Sequence, residues 1–288
     1  MPELPEVETV VRGLQILLPG RRIAEVRLGK TDFIDDPAKL EEILPGSRIS
    51  VVRRHGKFIV LLLEKSTQAL VTPKSLATRF HFIVHLGMTG QLTVFPVSRP
   101  SPLHTHVWIS LDNDTELRFT DPRRFGRMLV VPEAHSERVL GPLGIDPLEV
   151  TVEEFQKRLA AKRARIKAVL LDQRVFRGMG NIYTDESLWR ARTHPARLAS
   201  ALKREEAARL YHAMQQILRE AIRLGGSSIS DYVNAEGQPG EFQIRHRVYQ
   251  REGKKCSRCG ALIRRIIVAG RSSYFCPKCQ RAPRQRQK

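Results

Sequence analysis

The chain is short of acidic side chains. Its 288 residues hold 30 Asp and Glu against 49 Lys and Arg, a formal net charge of +19. The isoelectric point is about 10.4. So large a deficit exceeds what solubility requires and points to a polyanionic partner. There is no apolar run of bilayer-spanning length and no leader pattern, so a soluble, intracellular, cytoplasmic protein is expected. Internal repeats are lacking too. Cysteine is missing from everything before Cys256, so a disulfide framework across the chain is not expected. The length allows two domains with cores of their own.

What cysteine there is sits together, in "CSRCGALIRRIIVAGRSSYFCPKCQR": Cys256, Cys259, Cys276 and Cys279. Two C-x-x-C knuckles lie 16 residues apart. That spacing fits one tetrahedral zinc ion, Zn2+, held by four thiolates, with the intervening segment returning as a hairpin. Four protein ligands leave no open position, so the metal is expected to be structural. Glu241–Lys288 also carries 14 Lys and Arg against 2 Asp and Glu, which is +12 of the total charge.

The first ten residues, "MPELPEVETV", crowd Glu3, Glu6 and Glu8 next to a proline that removal of the initiator methionine would expose. One reading is a well-made amphipathic helix. Leu4, Val7, Val10, Val11, Leu14 and Leu18 recur at helical spacing, Pro suits a first helical position, and acids suit a first turn. The other reading gives the terminal nitrogen and its neighbouring carboxylate a chemical task.

Strand-like runs follow at 22–28, 47–53, 58–63, 80–86, 91–95, 106–111, 116–120 and 128–131, separated by turn residues, as in a β-sandwich. Near residue 134 the period becomes helical. "TVEEFQKRL" opens with a capping pair, Thr151 and Glu154; "IKAVLLDQ", "NIYTDESLWRAR" and 200–224 follow, the last ending at Gly225-Gly226. The polar stretch "GGSSISDYVNAEGQPGEFQ" reads as a linker or a functional loop. The expected fold is α+β and multidomain: an N-terminal helix on a β-sandwich (1–133), a helical helix–two-turn–helix module with the loop (134–242) and a zinc-finger hairpin (243–288).

Several short stretches hold candidate site residues. Lys57 in "RRHGK" lies between two strand-like runs, where a lysine is ordinarily an exposed hairpin residue. Met88 in "HLGMTG" lies between glycines. Arg123, Arg124 and Phe125 share the turn "TDPRRFG", where the phenylalanine is either a local anchor or a wedge for a base stack. Asn181 in "GNIY" stands at a glycine-rich helix entry, as an N-cap or beside N–H groups suited to a phosphate.

With "PELPEVE" and the four-cysteine finger, these motifs occur in one order, and over nearly its whole length the chain resembles the formamidopyrimidine-DNA glycosylase family of bacterial repair enzymes. The resemblance implies a bifunctional glycosylase and AP lyase for oxidised purines in duplex DNA, monomeric, needing no small-molecule cofactor and no membrane. It implies Pro2 as nucleophile, Glu3 as acid/base, Glu6 as an ordering residue, Lys57 as acid/base and phosphate contact, and Arg271 of the finger as the holder of the flanking phosphates. Met88, Arg123 and Phe125 would fill the space of the flipped base. His104, Arg124, Lys162 and Asn181 would touch the DNA, and the loop at about 227–242 would close over the lesion.

Three segments depart from the family pattern: a longer link before "HLGM" that adds Lys74 and Arg79, Phe176-Arg177 where small residues are common, and a basic tail. Endonuclease VIII, of the same superfamily, is disfavoured by Leu4 and by the intact Arg-Arg-Phe turn. A zinc-ribbon DNA-binding protein without catalysis, and a family member that has lost activity, are the remaining alternatives. Pro2, Glu3 and Lys57 argue against the last.

Overall fold

The computed structural model describes residues 1–65, 78–229 and 231–282. The chain forms two compact units, Met1–Pro142 with Leu224–Glu241, and Leu143–Arg223 with Phe242–Lys288. The loop after the long helix therefore belongs to the first unit, although it follows the helices in sequence.

In the first unit, helix α1 spans Leu4–Leu17. The strands are β1 (Ile23–Leu28), β2 (Arg48–His55), β3 (Phe58–Lys65), β4 (Thr78–His85), β5 (Gln91–Pro96), β6 (Thr105–Leu111), β7 (Thr115–Thr120) and β8 (Arg127–Pro132). Each expected strand is present within two residues of its expected ends. Two antiparallel sheets form, in the orders β2-β3-β4-β8 and β1-β6-β7-β5. Their alternating apolar faces make one core with the buried stripe of α1, among them Val7, Val10, Leu14, Ile49, Leu61, Phe82 and Phe119. Each such side chain removed from water contributes about 1.5–3 kcal/mol. A short helix, α2 (Pro37–Ile43), absent from the sequence expectation, is capped by Asp36, which accepts from the Lys39 N–H. The helical turn α3 (Glu137–Leu140) closes the first stretch of this unit.

The second unit holds α4 (Val152–Ala160), α5 (Ile166–Leu171), α6 (Asn181–Arg190) and α7 (Arg204–Arg223), then the hairpin β9 (Arg264–Val268) and β10 (Arg271–Phe275). Thr151 caps α4 as expected, accepting from the Glu154 N–H. Phe176 is fully buried and its ring meets Phe155 at 5.0 Å, so the departure from small residues there is absorbed by the core of this unit. Arg177 donates to the Gly144 carbonyl at 2.9 Å. Lys74 and the last six residues of the basic tail lie outside the described residues; Arg79 is on β4, facing Glu64 and Glu133.

Candidate active site and nucleic-acid interface

Helix α1 begins at Leu4, two residues later than a helix with Pro2 at its first position would. Glu3 is the N-cap, Pro5 fills the proline position within the helix, and Pro2 stands outside it. The helical explanation of Pro2 therefore fails. Glu3 and Glu6 form a capping box in which the Glu3 N–H donates to Glu6 Oε2 at 2.8 Å. The other Glu6 oxygen accepts from the Ser227 N–H at 2.8 Å, and the Tyr232 hydroxyl donates to the Glu6 carbonyl at 3.1 Å. Gly226, at φ +81°, passes so close that a Cβ would sit 2.9 Å from Glu6 Oε1. Glu6 thus ties the start of the chain to the loop at 226–232. Burial and the neighbouring Glu6 charge push the Tyr232 phenol above its usual range, so it remains a donor.

Lys57 sits in the two-residue turn joining β2 and β3, where His55 pairs with Phe58 and Gly56 has φ +61°. Unlike an ordinary hairpin lysine it is only 7% exposed. Burial, and then the charge of Lys57, hold the His85 imidazole down to about 4. His85 is therefore neutral at ordinary pH, and its Nδ1 accepts from the Gly87 N–H at 3.1 Å.

That bond sets the "HLGMTG" turn, which interlocks with "TDPRRFG". A Cβ on Gly87 would lie 2.3 Å from the Phe125 carbonyl carbon, and one on Gly126 would lie 2.5 Å from the Phe119 ring. Gly126 is required by close approach, and Gly87 both by close approach and by its φ of +64°. Asp121, fully buried, organises the second turn: Oδ1 accepts from the Thr89 hydroxyl and the Arg123 N–H, and Oδ2 from the Gly126 N–H at 2.8 Å. The Asp121 N–H donates in turn to the His104 carbonyl at 3.0 Å. The result is a rigid base from which apolar tips emerge, Met88 at 40% and Phe125 at 52% exposure. The Arg123 guanidinium stacks over the Phe125 ring at 4.6 Å. His104 is exposed with φ +66°. Arg124 is paired with Asp32.

The second unit carries the rest. Lys162 is exposed just beyond α4. Asn181 is not the N-cap of α6; Gly180 is, and the Asn181 Oδ1 is buried with no partner among the described residues. Arg271 opens β10, exposed, after the Ala269-Gly270 turn whose φ values are +52° and +71°. The residue after it is held from inside. Lys167 Nζ, fully buried, donates to Asp185 Oδ1 at 2.8 Å and to the Ser272 carbonyl at 2.6 Å, and Asp185 Oδ2 accepts from the Tyr274 N–H at 2.9 Å. Glu186 accepts from the N–H groups of Arg247, Val248 and Tyr249. Sequence reasoning missed Asp121, Lys167, Asp185 and Glu186. Only Asp121 left a signal, as an aspartate before proline in a turn; buried charges inside helical patterns leave none.

The four cysteine sulfurs all lie within 4.8 Å of one another, with Cys259 and Cys276 at 3.4 Å and Cys256 and Cys279 at 4.0 Å. A tetrahedral ion with metal–sulfur bonds of about 2.3 Å needs sulfur–sulfur edges of about 3.8 Å. The donor set and its spacing fit such an ion.

Against known proteins, residues 1–128 match the formamidopyrimidine-DNA glycosylase N-terminal domain, 143–233 that family's H2TH domain, and 253–282 the zinc finger found in FPG and IleRS. A formamidopyrimidine-DNA glycosylase of Solibacter usitatus is 46% identical over 283 residues, covering 98% of this chain and 100% of the relative. The chain belongs to the formamidopyrimidine-DNA glycosylase family. Among solved structures of that family, the Thermus thermophilus MutM (Fpg) protein superposes with a TM-score of 0.81 at 40% identity, over 97% of this chain and 98% of that one. The Lactococcus lactis Fpg in complex with DNA containing an abasic site gives 0.85 at 32% identity, over 97% and 100%. The family's H2TH segment runs to residue 233, past the point at which the chain enters the first compact unit.

Proposed function

We propose that this chain excises oxidised purines, 8-oxoguanine and formamidopyrimidines, from duplex DNA and then cleaves the strand by β,δ-elimination. The observation that carries the reading is the N-terminus: Pro2 lies outside the helix, buried beside a capping carboxylate that nothing in helix formation requires to be next to a proline. Family membership supports it, since relatives have been solved with 8-oxo-guanine-containing and Fapy-dG-containing DNA.

Once Met1 is removed, Pro2 presents a secondary α-amine. An ordinary α-amine, with a reference pKa of about 7.7–8, is neutral to a useful extent near pH 7, where an ordinary lysine at about 10.4 is not. Phe125 enters the stack, and Met88 and Arg123 take the space of the extruded base, because the glycosidic bond is out of reach inside the duplex. The Pro2 nitrogen lone pair forms the bond to C1′ as the bond from C1′ to the base breaks; the base departs with that electron pair and is protonated, and the new ammonium nitrogen gives up its N–H proton. Glu3 protonates the sugar ring oxygen as the ring opens, leaving an iminium between Pro2 and C1′. That iminium acidifies the C2′ proton; its removal expels the 3′ phosphate, and a second elimination expels the 5′ phosphate. Lys57 serves these proton transfers and holds a phosphate, and Glu6 keeps the terminus in register with the loop at 226–232. Arg271, His104, Arg124, Lys162 and Asn181 bind the backbone. Cys256, Cys259, Cys276 and Cys279 hold zinc, whose contribution is to keep the finger folded. The protein acts as a monomer in the cytoplasm. Cleavage of a duplex panel carrying oxidised purines, oxidised pyrimidines or no lesion tests the reading; preference for oxidised pyrimidines would instead assign the endonuclease VIII activity.

Two further outcomes are expected. Phe125→Ala lowers 8-oxoguanine excision roughly tenfold or more, in keeping with about 1–3 kcal/mol for a lost base–aromatic stack. Cleavage at an already abasic site, with little left to unstack, changes much less. Equal losses on the two substrates would make Phe125 a purely structural anchor. Arg123→Ala flattens the preference for 8-oxoguanine opposite cytosine over adenine, a discrimination worth about 1–3 kcal/mol for a good base-edge contact. Lys162→Ala weakens both duplexes alike and lowers the salt slope by about one. Cleavage of both duplexes by each variant across a salt series separates the two roles, and an intact preference in Arg123→Ala would reduce Arg123 to a phosphate anchor.

A further inference from the structure

The wedge turn carries Arg123 and Arg124, with Arg127 opening β8 just after it, and among these three arginines Arg124 is the one with a carboxylate partner among the described residues. Its Nη1 donates to both oxygens of Asp32, at 2.9 and 2.8 Å. The contact uses a single guanidinium nitrogen. Nε and Nη2 make no hydrogen bond to another described residue, and the side chain is 38% exposed. Those two nitrogens form the edge that grips a phosphate with two parallel bonds.

Asp32 is not on a loose loop. The next residue, Phe33, is fully buried, with its ring 5.3 Å from Phe119 and 6.0 Å from His106. The Phe33 carbonyl accepts from the Met128 N–H at 3.1 Å, the Asp35 N–H donates to the Met128 carbonyl at 3.0 Å, and the Ile34 N–H donates to the Thr31 carbonyl at 2.8 Å. Arg124 is fixed from its own side by φ +53° and by its N–H bond to the Asp121 carbonyl at 3.2 Å. Two rigid backbones thus meet through one carboxylate and one guanidinium nitrogen.

We infer that Asp32 is a positioning residue for DNA binding: it clamps Arg124 by Nη1 so that the Nε–Nη2 edge is presented to a backbone phosphate. This rests on the reading of Arg124 as a phosphate contact. Its sign is opposite to that of simple electrostatics. Asp32 is a negative charge beside a DNA-contacting arginine, so charge alone says that removing it tightens binding. Clamping says that removing it loosens binding, because a long flexible side chain must then be ordered by the DNA itself.

The test is a fluorescence titration of undamaged and 8-oxoguanine duplexes with the full chain at several salt concentrations. It compares the parent protein with Asp32→Asn, Asp32→Glu, Arg124→Met and the Asp32→Asn/Arg124→Met double variant. Arg124→Met weakens both duplexes roughly tenfold and makes the salt slope shallower by about 0.9, as for one lost phosphate contact. Asp32→Asn weakens them roughly threefold, moves the slope the same way and adds nothing on the Arg124→Met background, the signature of one shared interaction. Asp32→Glu recovers part of the loss. Melting temperatures stay level, since an exposed ion pair adds little to stability. Tighter or unchanged binding by Asp32→Asn overturns the inference while leaving Arg124 as a contact. An Arg124→Met variant that binds as the parent does overturns the contact itself. A parent chain that ignores lesion duplexes overturns the proposed function instead.

Discussion

A chain that keeps Met1, or whose terminal nitrogen is acetylated, is expected to bind lesion DNA and to give no borohydride-trapped adduct. The physical ground is the lone pair. In an amide the Pro2 nitrogen is delocalised into the carbonyl, cannot attack C1′ and cannot form the iminium that borohydride reduces. Folding should not change, because Pro2 precedes the N-cap and α1 is started by Glu3 and Pro5. An extra residue is tolerated there, since Met1 is 52% exposed. Loss of trapping with retained binding therefore isolates the chemistry from the structure. With the free terminus, trapping should rise with pH through about 7.7–8 and level off as the amine becomes neutral. Glu3→Gln, which keeps the nitrogen and removes the acid, should slow excision by roughly 10²–10⁴-fold, the usual worth of a positioned proton donor. Full trapping by a verified blocked chain would move the nucleophile to a lysine, and Lys57, buried in its hairpin turn, would be the first to examine.

Removal of the metal, by chelation or by Cys276→Ser, is expected to unfold the finger and lower DNA affinity by about one to two orders of magnitude, with a shallower salt slope. The finger contributes only Val248, Cys256, Ile263 and Cys276 to its apolar cluster, which is completed by Trp189 of α6, and two of those four are proposed metal ligands. A two-stranded hairpin with so little core is marginal by itself. Binding of zinc by four thiolates, about 10–16 kcal/mol in isolated zinc-finger peptides, is then folding energy for this segment. When the hairpin is lost, Lys167 and Asp185 have no Ser272 or Tyr274 backbone to hold, and Arg271 is no longer placed. The first unit has a separate core and keeps its near-ultraviolet circular dichroism. The measurement is metal content, circular dichroism and DNA titration on the same sample. Unchanged DNA binding after verified metal loss would show that the finger is not part of the interface.

Much of this architecture could be read from residue order alone. Eight strands were legible because alternation of apolar side chains is a local property and each sheet turns one face toward the core. The four-cysteine cluster was legible because thiolate spacing within a knuckle is a matter of two intervening residues. The helix α2 was missed because seven residues carry little periodicity, and its cap at Asp36 resembles any aspartate before a proline. The candidate site residues were picked out by their motifs, but their structural circumstances were not. Lys57 reads as an exposed hairpin lysine until its burial is seen, and Asn181 reads as a cap until Gly180 is found in that place.

What the sequence by itself determined is therefore the set of elements, the four thiolates, the basic charge and the short motifs, all of which depend on residues close together in the chain. The tertiary structure decided which of the three N-terminal carboxylates holds the loop at 226–232, that Gly87 must lack a side chain because Phe125 passes beside it, and that Asp32 grips Arg124 from 92 residues away. Those facts depend on contacts between segments distant in sequence, where the pairing of a buried charge or the clearance of one backbone past another is set by packing and leaves no periodic trace in the chain.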